Sequence, residues 1–407
     1  MRTSPAPDER RNARLFVTGA VVSSVGTTAM TLAAGIWVQE LTGDASLAAL
    51  VGACVWAPTL LGPVLGPLVD RRRRQPLLVQ ANLGAAAVVL ALLLVPGVAG
   101  PWLVFVAMAA YGVGFVVLDA AEAALLPAAV GPDALARVNG QRAAGQESVK
   151  LVAPALGAGL FALAGAPAVV ALDVATFLVA AGAIARLRAP EPRPSPTAGT
   201  RWWDEVVDGY RALRQMPGAW RLTLLGATAL TLHALASGTT FALVSDVMGR
   251  SPATVGVLAA AQGAGSVAGG LGADRALSRW GTPAVVASGL AASAAGCALR
   301  ATAAFPAVVA GAILVGAGVV LVLVTTVSVL QRGAPATVAG RVMATAGTVL
   351  NVPVPVATAA GAGLVAVVDA RVVLAGCALG AGAAALEVRR SLRRGPAGGC
   401  SSTAWRT

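Results

Sequence analysis

The chain has 407 residues, of which 57% are hydrophobic and only 12% charged. A soluble domain carries roughly 25% charged residues, so charge this sparse, combined with long apolar runs, excludes a water-soluble fold and makes lipid the solvent. The formal net charge of +12 does not indicate a nucleic-acid partner: the arginines lie in short stretches between apolar runs, with no interleaved aromatics and no soluble basic domain.

The apolar runs are continuous rather than alternating, which predicts membrane helices and not barrel strands. At ~20 residues per crossing the predicted spans are 15–38, 46–69, 76–96, 101–124, 141–164, 167–187, 221–243, 252–273, 282–303, 306–329, 341–366 and 371–388. The first follows Arg10, Arg11 and Arg14 and is too long for the apolar region of a signal peptide, so it reads as a retained helix. The second ends in Gly66-x-x-x-Asp70-Arg71, followed by Arg72, Arg73 and Arg74. The eighth ends in the same pattern, Gly270-x-x-x-Asp274-Arg275, followed by Arg279. The stretches after the fourth and tenth spans also correspond, leading to Arg137 and Arg341 respectively. Each half therefore places equivalent helices and loops in equivalent positions, the mark of a duplicated transporter whose halves rock around a midplane site.

The one long connection, 188–220, divides six spans from six. It begins with a proline-rich spacer and continues into an amphipathic helix, with Trp202, Trp203, Val206, Val207 and Tyr210 on one face and Asp204, Glu205, Asp208 and Arg211 opposite. That helix is expected to serve as an ordered strut or to lie in the membrane interface. The expected organisation is a bundle at 1–187, a linker at 188–220, and a second bundle with a basic tail at 221–407. Cytoplasmic placement of the N-terminus puts nearly all basic residues on one side; Arg250, Arg300 and Arg371 fall on the other, and Lys150 lies within a span. The positive-inside bias thus predicts an even number of spans with both termini cytoplasmic. Cys54, Cys297, Cys377 and Cys400 are far apart and form no CxxC pair, so neither a disulfide framework nor a metal site is expected. No glycine run has the GxxxxGK[ST] form, so energy must come from an ion or substrate gradient. With one histidine and no convergent acid–thiol set, the chain is not expected to be an enzyme, and no cofactor is implied.

The repeated loop resembles motif A of the major facilitator superfamily, G-x-x-x-D-R-x-G-R-R/K. Gly66, Asp70, Arg71 and Arg74 match it, while Arg73 replaces the usual glycine and Gln75 the final base. Further stretches resemble the exporter branch that contains enterobactin exporters and macrolide efflux pumps: Glu40-Leu-Thr-Gly43, the Pro127–Asn139 loop, Gly157-Ala-Gly159 and Asp173-Val-Ala-Thr-Phe177. The antiporter motif of the fifth helix is partial: Gly140, Pro154 and Gly157 match, but Val149 and Ala153 stand where glycine is usual. Met108 occupies the place of an arginine common in drug/proton antiporters, and Thr27 that of a frequent aspartate. The resemblance implies an all-α integral membrane protein, with twelve helices in two pseudo-symmetric six-helix bundles. It further implies a secondary transporter of the bacterial inner membrane that works by alternating access. Proton-coupled export of an amphipathic small molecule such as a drug, antibiotic or siderophore is favoured; uptake of a small polar nutrient by a facilitator or symporter is the alternative. Expected partners are that substrate, the proton and the bilayer, with the chain a monomer.

The resemblance also assigns roles. Asp70, Arg71 and Arg74 would join helix 2 to the start of helix 11 near Arg341 and latch the cytoplasmic side, with Gly66 permitting close approach; Gly270, Asp274, Arg275 and Arg279 would form the equivalent cluster. An anchor by positive charge alone is the plainer alternative. Depth at 1.5 Å per residue places Thr27, Thr28, Trp56, Tyr111, His233, Gln262 and Asn351 near the midplane. They form a candidate substrate layer of neutral hydrogen-bonding groups among apolar walls, or ordinary interhelical packing. Candidates for proton coupling are His233, Asp119 and Glu122 on one face of helix 4, and Glu147 and Lys150, similarly spaced on helix 5 as an internal ion pair; closure of a gate by the same charges is equally compatible with the sequence. Asp173, Arg300 and Asn82, on helices that are peripheral in the family, are expected to be structural or to snorkel. Gly311, Gly316, Gly318, Pro353 and Pro355 are expected to mark flexure points.

Overall fold

The computed structural model describes residues 7–61, 72–94, 100–130, 132–188, 202–216, 218–334 and 339–393. Among these residues the chain is helical, with no strand. Eight helices are long and apolar enough to cross a bilayer, or nine when Ala219–Gly238 is counted together with Thr240–Val247, to which it is joined by a 43° bend. By contact density the chain divides into two compact units. One comprises residues 1–196 with 252–260, the other 197–251 with 261–407.

The first unit holds α1 (Pro7–Thr42), α2 (Ala45–Trp56, continued by a 3-10 turn to Leu61), α3 (Arg74–Ala91), α4 (Gly100–Val130) and α5 (Pro132–Ala185). Asp44 caps α2, accepting from the backbone N–H groups of Ser46 and Leu47 and satisfying donors that a helix start leaves unpaired. α3, continued by a 3-10 turn at Leu92–Leu94, accounts for the third predicted span as far as residue 94 but falls outside the eight, because Arg74, Gln75, Gln80 and Asn82 dilute its apolar content. α5 is 54 residues long and breaks at Gly165, whose φ of 71° and ψ of −175° no helix accommodates. Glycine takes this conformation without a Cβ penalty, so the break separates the fifth predicted span from the sixth. α1 runs along α5 as the most extensive contact of this unit.

Polar stitching holds one end of the unit together. Asn12, 2% exposed, donates to the carbonyls of Ala129 and Arg188 at 2.9 and 3.0 Å and accepts from the Arg188 N–H. Gln75 donates to the carbonyls of Ile184 and Leu187 at 3.0 and 3.1 Å. The residue in place of the motif's final base thus ties α3 to carbonyls at and just beyond the end of α5.

The second unit holds α6 (Trp202–Gln215), α7 (Ala219–Gly238), α9 (Thr282–Ala301), α10 (Phe305–Gly333), α11 (Ala339–Asn351), α12 (Pro353–Leu364) and α13 (Ala370–Arg393), with most of α8 (Thr254–Trp280). α6 is a docked strut: Leu213 is fully buried with Ala219, Leu330, Val342 and Ala346, and the Tyr210 ring meets Trp220 edge-on at 5.2 Å. Arg214 lies 5.6 and 5.5 Å from those two ring centres, a cation–π arrangement. In the eleventh predicted span helical hydrogen bonding is interrupted at Pro353, which lacks an N–H, but the backbone at Val352 stays helical (φ −56°, ψ −39°) and Pro355 lies inside α12.

The glycines of α10 behave differently from the expectation. α10 runs unbroken from Phe305 to Gly333, so Gly311, Gly316 and Gly318 are not flexure points. They are contact points. A Cβ on Gly289 would lie 2.7 Å from the Gly318 carbonyl, one on Gly296 2.6 Å from the Gly311 carbonyl, and one on Gly269 2.6 Å from the Ala317 carbonyl. In lipid, helices associate without a hydrophobic drive, and such small-residue seams let backbones meet.

Candidate functional site

The first unit contains an ion cluster. Arg142 of α5 donates from Nη1 to Glu122 at 3.1 Å and from Nη2 to Asp119 at 3.3 Å, both on α4. The Arg142 and Glu122 side chains are 18% and 17% exposed, that of Asp119 62%. Asp119 and Glu122 are three residues apart and share a face, as expected. The cation that joins them is Arg142, which spacing along one helix does not point to. Of the pair expected on helix 5, Lys150 is exposed, and the Glu147 side chain lies outside the described residues.

The predicted substrate layer resolves into separate pieces. In the first unit Thr27 and Tyr111 converge: the Thr27 hydroxyl reaches that of Tyr111 while donating to the Ser23 carbonyl at 2.9 Å. Thr28 is partly buried on α1. Trp56 is 43% exposed and packs edge-on against Phe115 at 5.6 Å. In the second unit His233 of α7 and Gln262 of α8 meet, with Gln262 Nε2 3.5 Å from His233 Nε2. The buried His233 Nδ1 has no hydrogen-bond partner among the described residues. Asn351 is exposed and turns its amide back to the Gly347 carbonyl at 2.9 Å.

Of the expected latch, Gly66, Asp70 and Arg71 lie outside the described residues, as does the Arg341 side chain; Arg74 is partly buried at the start of α3. In the repeat, Gly270 is partly buried while Asp274 and Arg275 are exposed on the last turns of α8, as is Arg279. Asp274 and Arg275 border a cavity of about 650 Å³ with Ser278, Thr282 and Arg332.

Snorkelling is not how Asp173, Arg300 and Asn82 are accommodated. They are 0%, 3% and 2% exposed. Asn82 donates to the Leu78 carbonyl of its own helix. Arg300 donates to the Thr240 hydroxyl at 2.8 Å, at the bend beyond α7. Asp173 lies 3.3 Å from the Tyr111 hydroxyl and 3.4 Å from that of Thr176. Periodicity alone does not show which way these helix faces turn; an unaccompanied acid deep in an apolar run is the available signal.

Long apolar helices, ion pairing between them and small-residue seams define a polytopic α-helical membrane protein. The chain belongs to the Major Facilitator Superfamily, whose model matches residues 15–358, and it is accordingly a multi-pass membrane transporter. It is 26% identical over 260 residues to macrolide efflux protein A of Streptococcus pyogenes, a match covering 62% of this chain and 64% of that protein. The chain thus spans about 64% of the length of that relative. It is 25% identical over 216 residues to macrolide efflux protein A of Enterococcus faecalis, covering 52% of this chain and 67% of that protein. Solved structures share the fold. A bacterial homologue of the iron transporter ferroportin in the inward-facing state aligns with a TM-score of 0.67 at 15% identity, covering 93% of this chain and 98% of that one. The nucleoside transporter NupG aligns with a TM-score of 0.71 at 12% identity, covering 93% and 99%.

Proposed function

We propose that this transporter is a proton-coupled exporter of amphipathic small molecules of the macrolide type. The observation that carries the reading is the Asp119–Arg142–Glu122 cluster, in which one guanidinium is shared by two carboxylates. A proton taken up by Glu122 removes one of the two attractions, so Arg142 is held by Asp119 alone and the α4–α5 contact loosens. Loss of the proton restores the clamp. Such a switch couples proton occupancy to helix position without any bound nucleotide, and buried charges that change partners are the usual instrument of proton-driven membrane machines. Efflux relatives support the outward direction.

In this reading residues 1–187 and 221–407 are the two moving bundles and 188–220 the connection, both termini are cytoplasmic, and the protein works as a monomer. Asp70, Arg71 and Arg74, with Gly66 and Arg341, form the cytoplasmic latch; Gly270, Asp274, Arg275 and Arg279 are its counterpart. Thr27, Thr28, Trp56, His233, Gln262 and Asn351 contribute the neutral surface on which an amphipathic substrate rests, with the buried Tyr111 behind Thr27. The test is erythromycin accumulation in cells that express the protein, with and without a protonophore. Export predicts reduced accumulation that the protonophore restores. Raised accumulation would overturn export in favour of uptake, and reduced accumulation indifferent to the protonophore would overturn proton coupling.

A further inference from the structure

Asp173 stands midway along the second leg of α5, fully buried. Its oxygens meet two neutral hydroxyls, those of Tyr111 from α4 and Thr176 from its own helix. Gly26 of α1 presses against the same place: a Cβ there would collide with Thr176 Oγ1 and Asp173 Oδ1 and lie 3.0 Å from Asp173 Cα. The groups facing Asp173 are therefore Gly26 from α1, Tyr111 from α4 and Thr176 from α5, with Phe177 and Thr27 touching Tyr111 behind them. α3 also packs on α5, but its buried amide, Asn82, is bonded within its own helix. Among the described residues no lysine, arginine or histidine acts on this carboxyl. An ionisable group kept inside a membrane bundle without a counter-ion is costly, and such groups mark ion or proton pathways.

Resting on the proton-coupled reading above, we propose that Asp173 is a second proton-carrying group of this transporter and that the Tyr111 hydroxyl reports its state to the substrate layer at Thr27. The Thr27 hydroxyl is a rotor that donates either to the Ser23 carbonyl or to the Tyr111 oxygen, and while its hydrogen is on Ser23 it offers Tyr111 a lone pair. The Tyr111 O–H thus has two acceptors in reach, Asp173 on one side and Thr27 on the other. With Asp173 ionised, Tyr111 donates to the carboxylate and presents oxygen lone pairs to Thr27 and to whatever rests beside it. With Asp173 protonated, the carboxyl O–H donates to Tyr111 Oη, and the tyrosine hydrogen turns to Thr27. The proton that arrives stays on Asp173 Oδ2, and no other bond is made or broken. The Tyr111 ring is held edge-on by Phe177 at 5.6 Å, so the hydroxyl hydrogen is what moves. Thr27 is only partly buried, which makes the hydroxyl pair the route between the buried acid and the substrate layer.

The test uses the full-length protein reconstituted in liposomes and has two readouts. Infrared difference spectra taken across a pH titration should contain a carboxylic-acid C=O band that Asp173→Asn removes and Tyr111→Phe shifts. The pH profile of erythromycin exchange should lose, in Asp173→Asn, the limb that coincides with the titration of that band. A band unchanged in Asp173→Asn overturns the proposal, as does an unchanged exchange profile. Tyr111→Phe, which retains the ring contact with Phe177, gives an independent result should the aspartate variant fold poorly: an unshifted band removes the relay. A wild-type band with its normal titration but no pH-gradient-driven erythromycin movement would instead overturn the exporter reading and leave the proton site standing.

Discussion

Single substitutions in the Asp119–Arg142–Glu122 cluster should have three different costs, ordered by what each leaves behind. Arg142→Gln strands Glu122, only 17% exposed, and leaves two carboxylates on one helix face. Breaking a fully buried pair from one side costs about 3–5 kcal/mol, and because this pair is part-buried the loss falls at the lower end, about 3 kcal/mol. Glu122→Gln removes the 3.1 Å bond but leaves Arg142 held by Asp119 at 3.3 Å, so the loss approaches that of one charge-assisted hydrogen bond, about 1.5–3 kcal/mol. Asp119→Asn removes a partner that is 62% exposed, for which roughly 0–1 kcal/mol is the ordinary value. The assay is thermal unfolding of the detergent-solubilised protein followed by circular dichroism, with the double variant closing a cycle between Glu122 and Arg142. An Asp119→Asn variant as unstable as Arg142→Gln would refute the assignment, because exposure would then not control the cost. A double variant whose loss equals the sum of the singles would refute it too, since the pair would not be coupled.

Gly311→Val should fail to give monodisperse protein on size-exclusion chromatography, because its Cβ alone would sit 2.9 Å from the Arg300 Cγ and 3.2 Å from the Arg300 N, whereas Gly272→Ala, which has open space around it, should behave as wild type. In the connection before α13, hydrogen bonds from the Arg371 guanidinium, followed by the Arg371 backbone N–H, hold the Asp369 carboxyl below its ordinary value. A lowered value means that the contribution is present above the ordinary aspartate range and lost as pH falls through the lowered one; hydrogen exchange at the first turn of α13 should accelerate in that window, and in Asp369→Ala, which removes the acceptor of the Arg371 N–H, it should be fast throughout. Asp70→Asn should reduce export while leaving expression intact, as transport assays on membranes with matched protein content would read; unchanged transport would remove the latch.

The helical frame is legible wherever a local rule decides it. Gly165 breaks a helix and Pro353 interrupts helical hydrogen bonding at positions where sequence alone predicts a boundary or a flexure, since the backbone freedom of glycine and the missing N–H of proline are properties of the residue. Pairing across helices is not legible. Lys150 is three positions from Glu147 and reads as its partner, but the guanidinium that reaches Glu122 comes from twenty residues away, and only the rotation of α5 against α4 brings it there. The α10 glycines carry a real signal with two physical meanings, bending or close contact, and a contact needs the neighbouring helix to reveal it. Asp173 reads as structural because the sixth helix is peripheral in relatives, yet peripheral position does not fix which face turns inward.

The chain contains only two tyrosines, and they occupy opposite environments: Tyr111 is 2% exposed against an aspartate, and Tyr210 is 38% exposed on the docked linker helix. Fluorine-labelled tyrosine would therefore yield two resonances, assignable without mutagenesis by a soluble paramagnetic quencher that broadens just one of them. The quenched signal would follow the linker while the protected one follows the membrane interior, so a single spectrum would report on both regions of the same molecule at once.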